Sequence, residues 1–306
     1  MALLFGLTIG PLAAGASPRE LGRVAWLRAL PEALERSRVT GRPVFLLFQE
    51  IPGCATCVGY GDAVLSHPLL QEAIESEFVP LAIQNNRPGP DALALARFGE
   101  AAWNNPVVRY VDAEGRDLVP RAEAVWTPWE TAGRMAAALR AARRPVPPWL
   151  ELVAEERDAA QLDSVTLGVH CFWEGERHFG ALAGVTGTEA GFAGGGEAVR
   201  VTFDPRRLTV RALLEDARRA GLAERVFARN DAQAAVAGQL LGAAAVTRGD
   251  ALRPAPEADR KYYLRRSPLA RLDLTPLQAA RVNAALGAGE DAARWLSPRQ
   301  RRAAGW

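Results

Sequence analysis

VFLLFQEIPGCATC, residues 44–57, places five consecutive apolar residues before two cysteines that are separated by two residues. A run of apolar residues without alternation is typical of a central strand covered on both faces. Pro52 and Gly53 then predict a turn, and a helix is expected to begin at Cys54. The free amides and partial positive charge of a helix N-terminus stabilise a thiolate and lower the pKa of a thiol there.

The two cysteines allow three interpretations. A zinc site needs two further ligands, and the only other candidates are Cys171 and three histidines scattered along the chain. A disulfide staple across two residues closes a very small loop and constrains the unfolded chain little. Redox chemistry therefore fits best. Cys54 is the expected exposed attacker, and Cys57 is expected to resolve the mixed disulfide.

Composition limits the classes of function. The chain has 306 residues, which favours two domains, and its 37 basic and 35 acidic residues show no block typical of nucleic-acid binding. Three cysteines cannot all pair within one chain, which argues against a secreted disulfide scaffold. We expect neither a cofactor nor a resident metal, and a cytoplasmic location.

The apolar start of the chain permits one alternative location. Residues 1–16 end in small residues, with an Ala-x-Ala-like site at 14–16, so a signal peptide would make the protein exported. Against this, no Lys or Arg precedes Arg19, so the basic n-region is missing. The run is too short to span a bilayer. Residues 1–19 are otherwise expected to form an N-terminal extension.

Periodicity predicts two α/β domains. The first covers 20–143, and a proline-rich hinge at 143–149 opens a linker and helix over 144–163. The second covers 164–306, and its order β-α-β-β-α predicts an α/β plait of the ferredoxin-like type. The expected elements of the first domain are helices at 20–40, 66–78, 91–99 and 127–143, strands at 44–48 and 78–83, and a hairpin at 106–121.

Residues 20–143 resemble the thioredoxin family. The resemblance rests on VFLLF, the CATC motif, the unit HPLLQEAIESEFVPLAI and the segment NNPVVRYVD, in that order. IPGCATC is similar to a bacterial group built on V-P-G-Cys, some of whose members carry selenocysteine at the first position. The resemblance implies a cis peptide bond before Pro106 and a role for Pro106 in holding a substrate strand opposite the cysteines.

The third cysteine lies in a second set of motifs. Cys171 is expected where a strand gives way to a helix, and on spacing alone it is as well explained as a small buried hydrophobe. CFW at 171–173, GFAGG at 191–195, EAVRV at 197–201 and FDP at 203–205 together resemble peptide methionine sulfoxide reductase, type A.

That resemblance implies specific roles. Cys171 would attack the sulfoxide sulfur, Glu197 would protonate the sulfoxide oxygen, and Phe172 and Trp173 would receive the substrate methyl group. Asp231, in an Asn-Asp pair, would bind substrate. The chain departs from the family where a tyrosine donor falls near a valine, and no cysteine follows Cys171 to recycle it.

These expectations combine into one hypothesis. A sulfenic acid at Cys171 needs a thiol to resolve it, and Cys54 and Cys57 would supply one. The protein is predicted to be an oxidoreductase whose partners are methionine sulfoxide or oxidised protein or peptide thiols, with an external thiol as reductant. Two alternatives stay open: a disulfide oxidoreductase whose C-terminal domain is inactive and only binds clients, and a protein whose three thiols bind a soft metal.

Overall fold

The computed structural model describes residues 17–249 and 252–306. The chain divides into two units, with the division between Ala124 and Val125. This division lies upstream of the proline-rich segment at 143–149, and the domain limits 20–143 and 164–306 stay predictions. The possible signal sequence at 1–16 lies outside the described residues.

A three-stranded sheet forms the centre of the first unit. Strand β1 (Val44–Gln49) pairs in parallel with β2 (Val79–Gln84) and antiparallel with β3 (Val107–Val111). Every residue from Val44 to Phe48 is fully buried. The prediction of a central strand covered on both faces is therefore confirmed, and the cysteines follow directly from its end.

From residue 17 to the end of the first unit, four α-helices accompany this sheet, and glycine or proline marks most of their ends. The helix that carries Cys57 continues as one π-helical turn, Gly61–Leu65. Gly41 and Gly99 end two helices in the left-handed conformation, as expected of C-terminal glycines. The helices are α1 (Leu30–Thr40), α2 (Ala55–Tyr60), α3 (Pro68–Glu77) and α4 (Pro90–Phe98).

The predicted helix at 20–40 is wrong in its first half. A 3-10 turn covers Arg19–Leu21, and α1 begins only at Leu30. Between them Leu27 is extended and bridges to Leu81 on β2. Its N–H donates to the Pro80 carbonyl at 2.9 Å. Pairing with a strand edge has therefore replaced the helical hydrogen bonds that the apolar spacing predicted.

Two further details of the first unit differ from expectation. The N-cap of α3 is His67 rather than Ser66, because the His67 ring nitrogen accepts a hydrogen bond from the Leu70 amide. The expected hairpin at 106–121 has only one regular strand. After the turn at Gly115, Asp117 makes a single bridge to Val111 and no second strand forms.

The second unit is built on a six-stranded sheet with the order β8-β7-β4-β6-β5-β9. Strands β5 and β6 are the two consecutive strands of the predicted β-α-β-β-α order and form a hairpin, and β4 pairs antiparallel with both β6 and β7. The strands are β4 (Asp163–Gly168), β5 (Val185–Ala193), β6 (Gly196–Phe203), β7 (Arg225–Ala228), β8 (Val246–Arg248) and β9 (Arg253–Pro254).

Eight α-helices lie in the described part of the second unit. Helix α7 follows β4 and packs on the apolar core that the sheet provides. The element order from β4 through β7 is β-α-β-β-α-β, which contains the predicted β-α-β-β-α. The helices are α5 (Pro128–Ala141), α6 (Pro148–Glu155), α7 (Phe172–Ala181), α8 (Val210–Arg219), α9 (Asp231–Leu241), α10 (Tyr262–Arg265), α11 (Pro276–Ala288) and α12 (Pro298–Ala304).

None of the helices in the described part of the chain combines the length and apolar character needed to cross a bilayer.

Candidate redox sites

The two cysteines of the CATC motif lie at the first turn of α2. Cys54 is the N-cap residue and is exposed, whereas Cys57 is buried one turn inside the helix. Both are free thiols, and their sulfur atoms are 3.6 Å apart. The structure thus places the pair at the helix N-terminus that the sequence predicted, close enough for a small movement to join the two sulfurs.

The two thiols differ in acidity. Hydrogen bonds from the backbone and side chain of Cys57 lower the pKa of Cys54. Burial, followed by the neighbouring Cys54 sulfur, raises the pKa of Cys57 to about 11. A thiolate is the nucleophile in disulfide exchange. The electrostatics therefore favour Cys54 as the attacking residue and keep Cys57 protonated in the resting dithiol.

Buried polar groups lie beneath the pair. The Gln49 side-chain amide donates to the Glu20 carbonyl at 2.7 Å and to the Cys57 carbonyl at 3.2 Å. The Glu20 carboxylate accepts from the Gly53 amide at 2.8 Å. Gly53 itself leaves no room for a side chain, since a Cβ there would lie 2.6 Å from the Cys57 Cβ. These contacts hold the turn before α2 against the buried thiol.

A loop opposite the cysteines supplies a contact that the sequence analysis missed. The Cys57 thiol donates a hydrogen bond to the Oδ1 atom of Asn105. The peptide bond between Asn105 and Pro106 is cis, as the resemblance implied, and Pro106 is buried. The sequence did contain a signal for this contact: Asn105 directly precedes Pro106, which was expected to face the cysteines.

A buried carboxylate anchors this loop. Glu100, whose side chain is 1% exposed, accepts from Arg109 at 2.6 Å and from Arg121 at 2.7 Å. Burial by itself raises the pKa of Glu100, but the hydrogen bonds from the two arginines outweigh it and lower that pKa. A little further along, the Asn104 side chain donates to Glu123 at 3.1 Å. The buried ion pairs of Glu100 thus hold the start of the loop that carries Asn105, whereas the bond from Asn104 to Glu123 lies at the surface.

Cys171 occupies the strand-to-helix junction of the second unit. It is the N-cap of α7 and is partly exposed. The Glu197 Oε2 atom accepts a hydrogen bond of 2.7 Å from the amide of Phe172, the next residue. Because Gly168 pairs with Ala198 across β4 and β6, the first residues of β6 lie at the Cys171 end of the sheet. The structure therefore brings Cys171 and Glu197 together.

The two aromatic residues after Cys171 are largely covered. Phe172 is 5% exposed and belongs to the core, with its ring centroid 5.6 Å from that of Phe192. The Trp173 ring stacks on Tyr262 with centroids 4.0 Å apart. Trp173 Nε1 is buried without a hydrogen-bond partner. The aromatic surface expected to receive a substrate methyl group is therefore already in contact with the protein's own side chains.

A buried ion pair holds the covering segment in place. The fully buried Glu176 carboxylate accepts from the Lys261 amide at 2.6 Å and pairs with the Lys261 ammonium group. The Tyr263 hydroxyl donates to Glu174 at 2.9 Å. Sequence reasoning missed Tyr262 and Lys261, since they are some ninety residues from Trp173 and no local pattern connects them.

A cavity of about 290 Å³ lies beside Glu197, at the turn between β5 and β6. Its lining combines glycines with three charged residues, and consists of Gly168, Val169, Ala193, Gly194, Gly195, Gly196, Glu197, Glu224 and Arg225.

Asp231, which was expected to bind substrate, lies away from Cys171 in the structure. Asp231 is the first residue of α9, is exposed, and pairs with Arg248. In the same helical turn, the Gln233 amide donates to the Asp163 carboxylate at 3.0 Å. Asp163 begins β4 whereas Cys171 follows its end, and six residues of strand separate the two ends by roughly 17 Å.

Within residues 17–249 and 252–306, no group of three or more His, Cys, Asp or Glu side chains is placed to bind a metal ion.

Comparison with known proteins bears on the first unit. Among solved structures, a DsbH oxidoreductase matches at 20% sequence identity and a TM-score of 0.34, over 43% of this chain and 94% of that chain. No curated protein matches the chain. A thioredoxin-like family profile matches residues 25–113, which include both cysteines of the pair and Pro106. Together with the geometry of the pair, this match supports thiol–disulfide redox chemistry, and residues 25–113 form a thioredoxin-like domain.

Proposed function

We propose that the protein is a thiol oxidoreductase in which the Cys54/Cys57 pair reduces an oxidised Cys171 in a methionine sulfoxide reductase-like domain. The observation that carries the proposal is the pair itself: an exposed thiol with a lowered pKa lies 3.6 Å from a buried thiol whose pKa is raised. Such a pair is suited to attack another sulfur and then release the product by internal disulfide formation.

The first step takes place at Cys171. Its thiolate attacks the sulfur of a sulfoxide, and the unpaired oxygen of the Glu197 carboxyl group donates the proton that the sulfoxide oxygen needs. The sulfide leaves and Cys171 becomes a sulfenic acid. The contact between Glu197 and the amide after Cys171 supports this assignment, because it holds the carboxyl group at the junction.

The second step returns Cys171 to the thiol. The Cys54 thiolate attacks the sulfenic sulfur, water leaves, and a Cys54–Cys171 disulfide forms. Cys57 then loses its proton and attacks Cys54, which releases the Cys171 thiol and leaves a Cys54–Cys57 disulfide. Two equivalents of an external thiol reduce that disulfide.

The experiment uses the Cys57→Ser variant of the full chain, treated with one equivalent of methionine sulfoxide under anaerobic conditions. Because the resolving thiol is missing, a Cys54–Cys171 disulfide is expected to accumulate and to be found by mass spectrometry of proteolytic peptides. Cys54→Ser is the matched control and should stop at the Cys171 sulfenic acid. A Cys171 that stays reduced in both variants would contradict the proposal.

The stacking of Tyr262 on Trp173 favours a second candidate function. In this version the C-terminal domain is inactive and only binds oxidised clients, while all exchange takes place at Cys54 and Cys57. Tyr262 stacked on Trp173, together with the hydroxyl of Tyr263 already bonded to Glu174, leaves fewer groups for a sulfoxide. Unchanged activity of Cys171→Ser toward client proteins would support this candidate over the first.

A further inference from the structure

The buried thiol of the pair has a hydrogen-bond acceptor within its own unit. The Cys57 Sγ atom donates to the Asn105 Oδ1 atom and lies 3.6 Å from the Cys54 sulfur. On its other side the thiol packs against Gly53, where a Cβ would lie 3.1 Å from the sulfur. The single S–H proton of Cys57 therefore has two acceptors within reach in the reduced protein, the Asn105 amide oxygen and the Cys54 sulfur.

The orientation of that amide follows from its second hydrogen bond. Asn105 Nδ2 donates to the Ala102 carbonyl at 3.4 Å, which leaves Oδ1 on the side of Cys57. The loop on which Asn105 lies is held by the buried ion pairs of Glu100 with Arg109 and Arg121. An acceptor on a restrained loop cannot turn away cheaply when its donor is lost.

This hydrogen bond exists only in the dithiol. Formation of the Cys54–Cys57 disulfide removes the Cys57 proton, and the Asn105 oxygen then loses its donor in a partly buried place. We propose that Asn105 stabilises the reduced pair relative to the disulfide, and so makes this site a stronger oxidant than the same pair without the amide. The inference rests on the disulfide exchange proposed for Cys54 and Cys57, and is independent of Cys171.

The effect of Asn105 on the redox equilibrium of the pair can be tested by thiol–disulfide exchange with glutathione. The protein dithiol and one glutathione disulfide give the protein disulfide and two glutathione thiols, so that two electrons and two protons pass from protein to glutathione. Loss of the Asn105 acceptor destabilises only the dithiol side. The equilibrium constant written in this direction is therefore expected to rise.

The measurement compares variants of the full chain that all carry Cys171→Ser, so that the pair alone exchanges. Asn105→Leu keeps a similar side-chain volume without an acceptor, and the constant should rise about 3- to 10-fold, the usual effect of one hydrogen bond. Tenfold corresponds to about 30 mV for a two-electron couple. Asn105→Ala should shift the constant in the same direction and serves if the leucine variant does not fold.

Two controls separate this role from a structural one. Asn104→Leu removes the neighbouring amide, which bonds Glu123 instead of a thiol, and should leave the constant within about twofold of the parent. Asn105→Asp retains an acceptor and should not raise it. An unchanged constant in both Asn105→Leu and Asn105→Ala, or an equal rise in Asn104→Leu, would overturn the inference.

The thiol titration is an independent readout. An acceptor favours the protonated Cys57, so Asn105→Leu should lower the pH of the second thiolate transition seen by ultraviolet absorbance. The other titratable groups near the pair are Cys54 and Glu20, and both are unchanged in these variants. A failure of Cys171 to exchange with the pair would defeat the proposed function but would leave this equilibrium measurable, since glutathione is the only partner it needs.

Discussion

Cys54 and Cys57 are three residues apart and have opposite environments. Cys54 caps α2 in solvent, where backbone and side-chain hydrogen bonds from Cys57 lower its pKa. Cys57 is covered by the turn at Gly53 and by the loop at Asn105, and burial raises its pKa. One helical turn therefore separates an exposed, reactive thiol from a buried, protonated one. Disulfide exchange needs both, the first to attack the substrate and the second to resolve the mixed disulfide.

Alkylation should reveal this difference. In the reduced protein, iodoacetamide is expected to modify Cys54 half-maximally at a pH below that of an ordinary thiol, because the lowered pKa enriches its thiolate. Cys57 should resist until the pH approaches 11. Peptide mass spectrometry across a pH series measures both rates. Equal rates in the folded protein would contradict the assignment, and urea-unfolded protein should give equal rates as the reference.

Gly53 is the residue whose replacement should disturb the pair most directly. In Gly53→Ala the new methyl group would lie 2.4 Å from the Glu50 carbonyl oxygen and 2.6 Å from the Cys57 Cβ, so the turn must shift. We expect a loss of about 1–3 kcal/mol in the free energy of unfolding, the usual cost of overpacking. Thermal or urea unfolding of the reduced protein measures it.

Gly59, in the helix α2 that follows this turn, provides the control. It is exposed, and a Cβ there meets no atom within 4 Å. Gly59→Ala should therefore be neutral or stabilise by up to about 1 kcal/mol, since alanine is the better helix former. An equal loss of stability in Gly59→Ala and Gly53→Ala would show that the close contact of a Cβ at Gly53 with Glu50 and Cys57 is not the cause of the loss.

At the scale of the element, the loop between α4 and β3 decides what faces the cysteines. Glu100 fixes the start of this loop through Arg109 on β3 and through Arg121, and Pro106 fixes its end. A buried ionic cluster of this kind is costly to break, because removal of one partner leaves charges buried and unpaired. The placement of Asn105 thus depends on residues that touch neither cysteine.

Glu100→Gln should destabilise the protein by about 3 kcal/mol, since it leaves Arg109 and Arg121 without their shared carboxylate. Glu114→Gln is the control, because Glu114 pairs with Arg116 at the surface and should change stability by less than about 0.5 kcal/mol. Chemical unfolding at neutral pH compares the two. Similar small effects in both variants would show that the buried cluster contributes little.

The same cluster predicts an acid dependence. The folded pKa of Glu100 is lowered, so its stabilising contribution is present above the unfolded pKa of about 4.5 and is lost as the pH falls through the folded value. The stability difference between the parent protein and Glu100→Gln should therefore shrink below about pH 4.5. A difference that stays constant down to pH 3, roughly one to two units lower, would contradict this sign.

At the scale of the whole molecule, two helix N-termini each carry a thiol, one in each unit. The first is paired with a second cysteine and the other with a carboxylate. In the proposed function the sulfenic acid at Cys171 needs a thiol, and the Cys54/Cys57 pair supplies it. The proposed function therefore needs both units.

Two serine variants should separate the contributions of the units. Cys171→Ser is expected to lose turnover of methionine sulfoxide and to keep reduction of a small disulfide, because that reaction needs only the pair. Cys54→Ser should lose reduction of the small disulfide by at least about 100-fold, since it removes the attacking thiolate, and should reduce one equivalent of methionine sulfoxide where the parent reduces two. Reactions of the pre-reduced proteins without added thiol, read by loss of substrate, measure both. Full sulfoxide turnover in Cys171→Ser would contradict the joint mechanism.

Local patterns in the sequence were sufficient for most elements. The unbroken apolar run at 44–48 predicted the buried central strand, and the turn residues after it predicted a helix starting at Cys54. The predicted order β-α-β-β-α of the second domain is present, and so is the strand–Cys171–helix junction. These features depend on the period of a strand or helix and on end signals within a few residues, which a sequence displays directly.

Only the tertiary structure decided which side chains meet. Leu27 left its helical pattern for an edge of β2, Asn105 came to face Cys57, and Tyr262 came to cover Trp173. Asp231, grouped with Cys171 by motif, lies at the opposite end of β4. The physical reason is that such contacts join residues far apart in the chain through strand pairing and loop closure, and no local period records them.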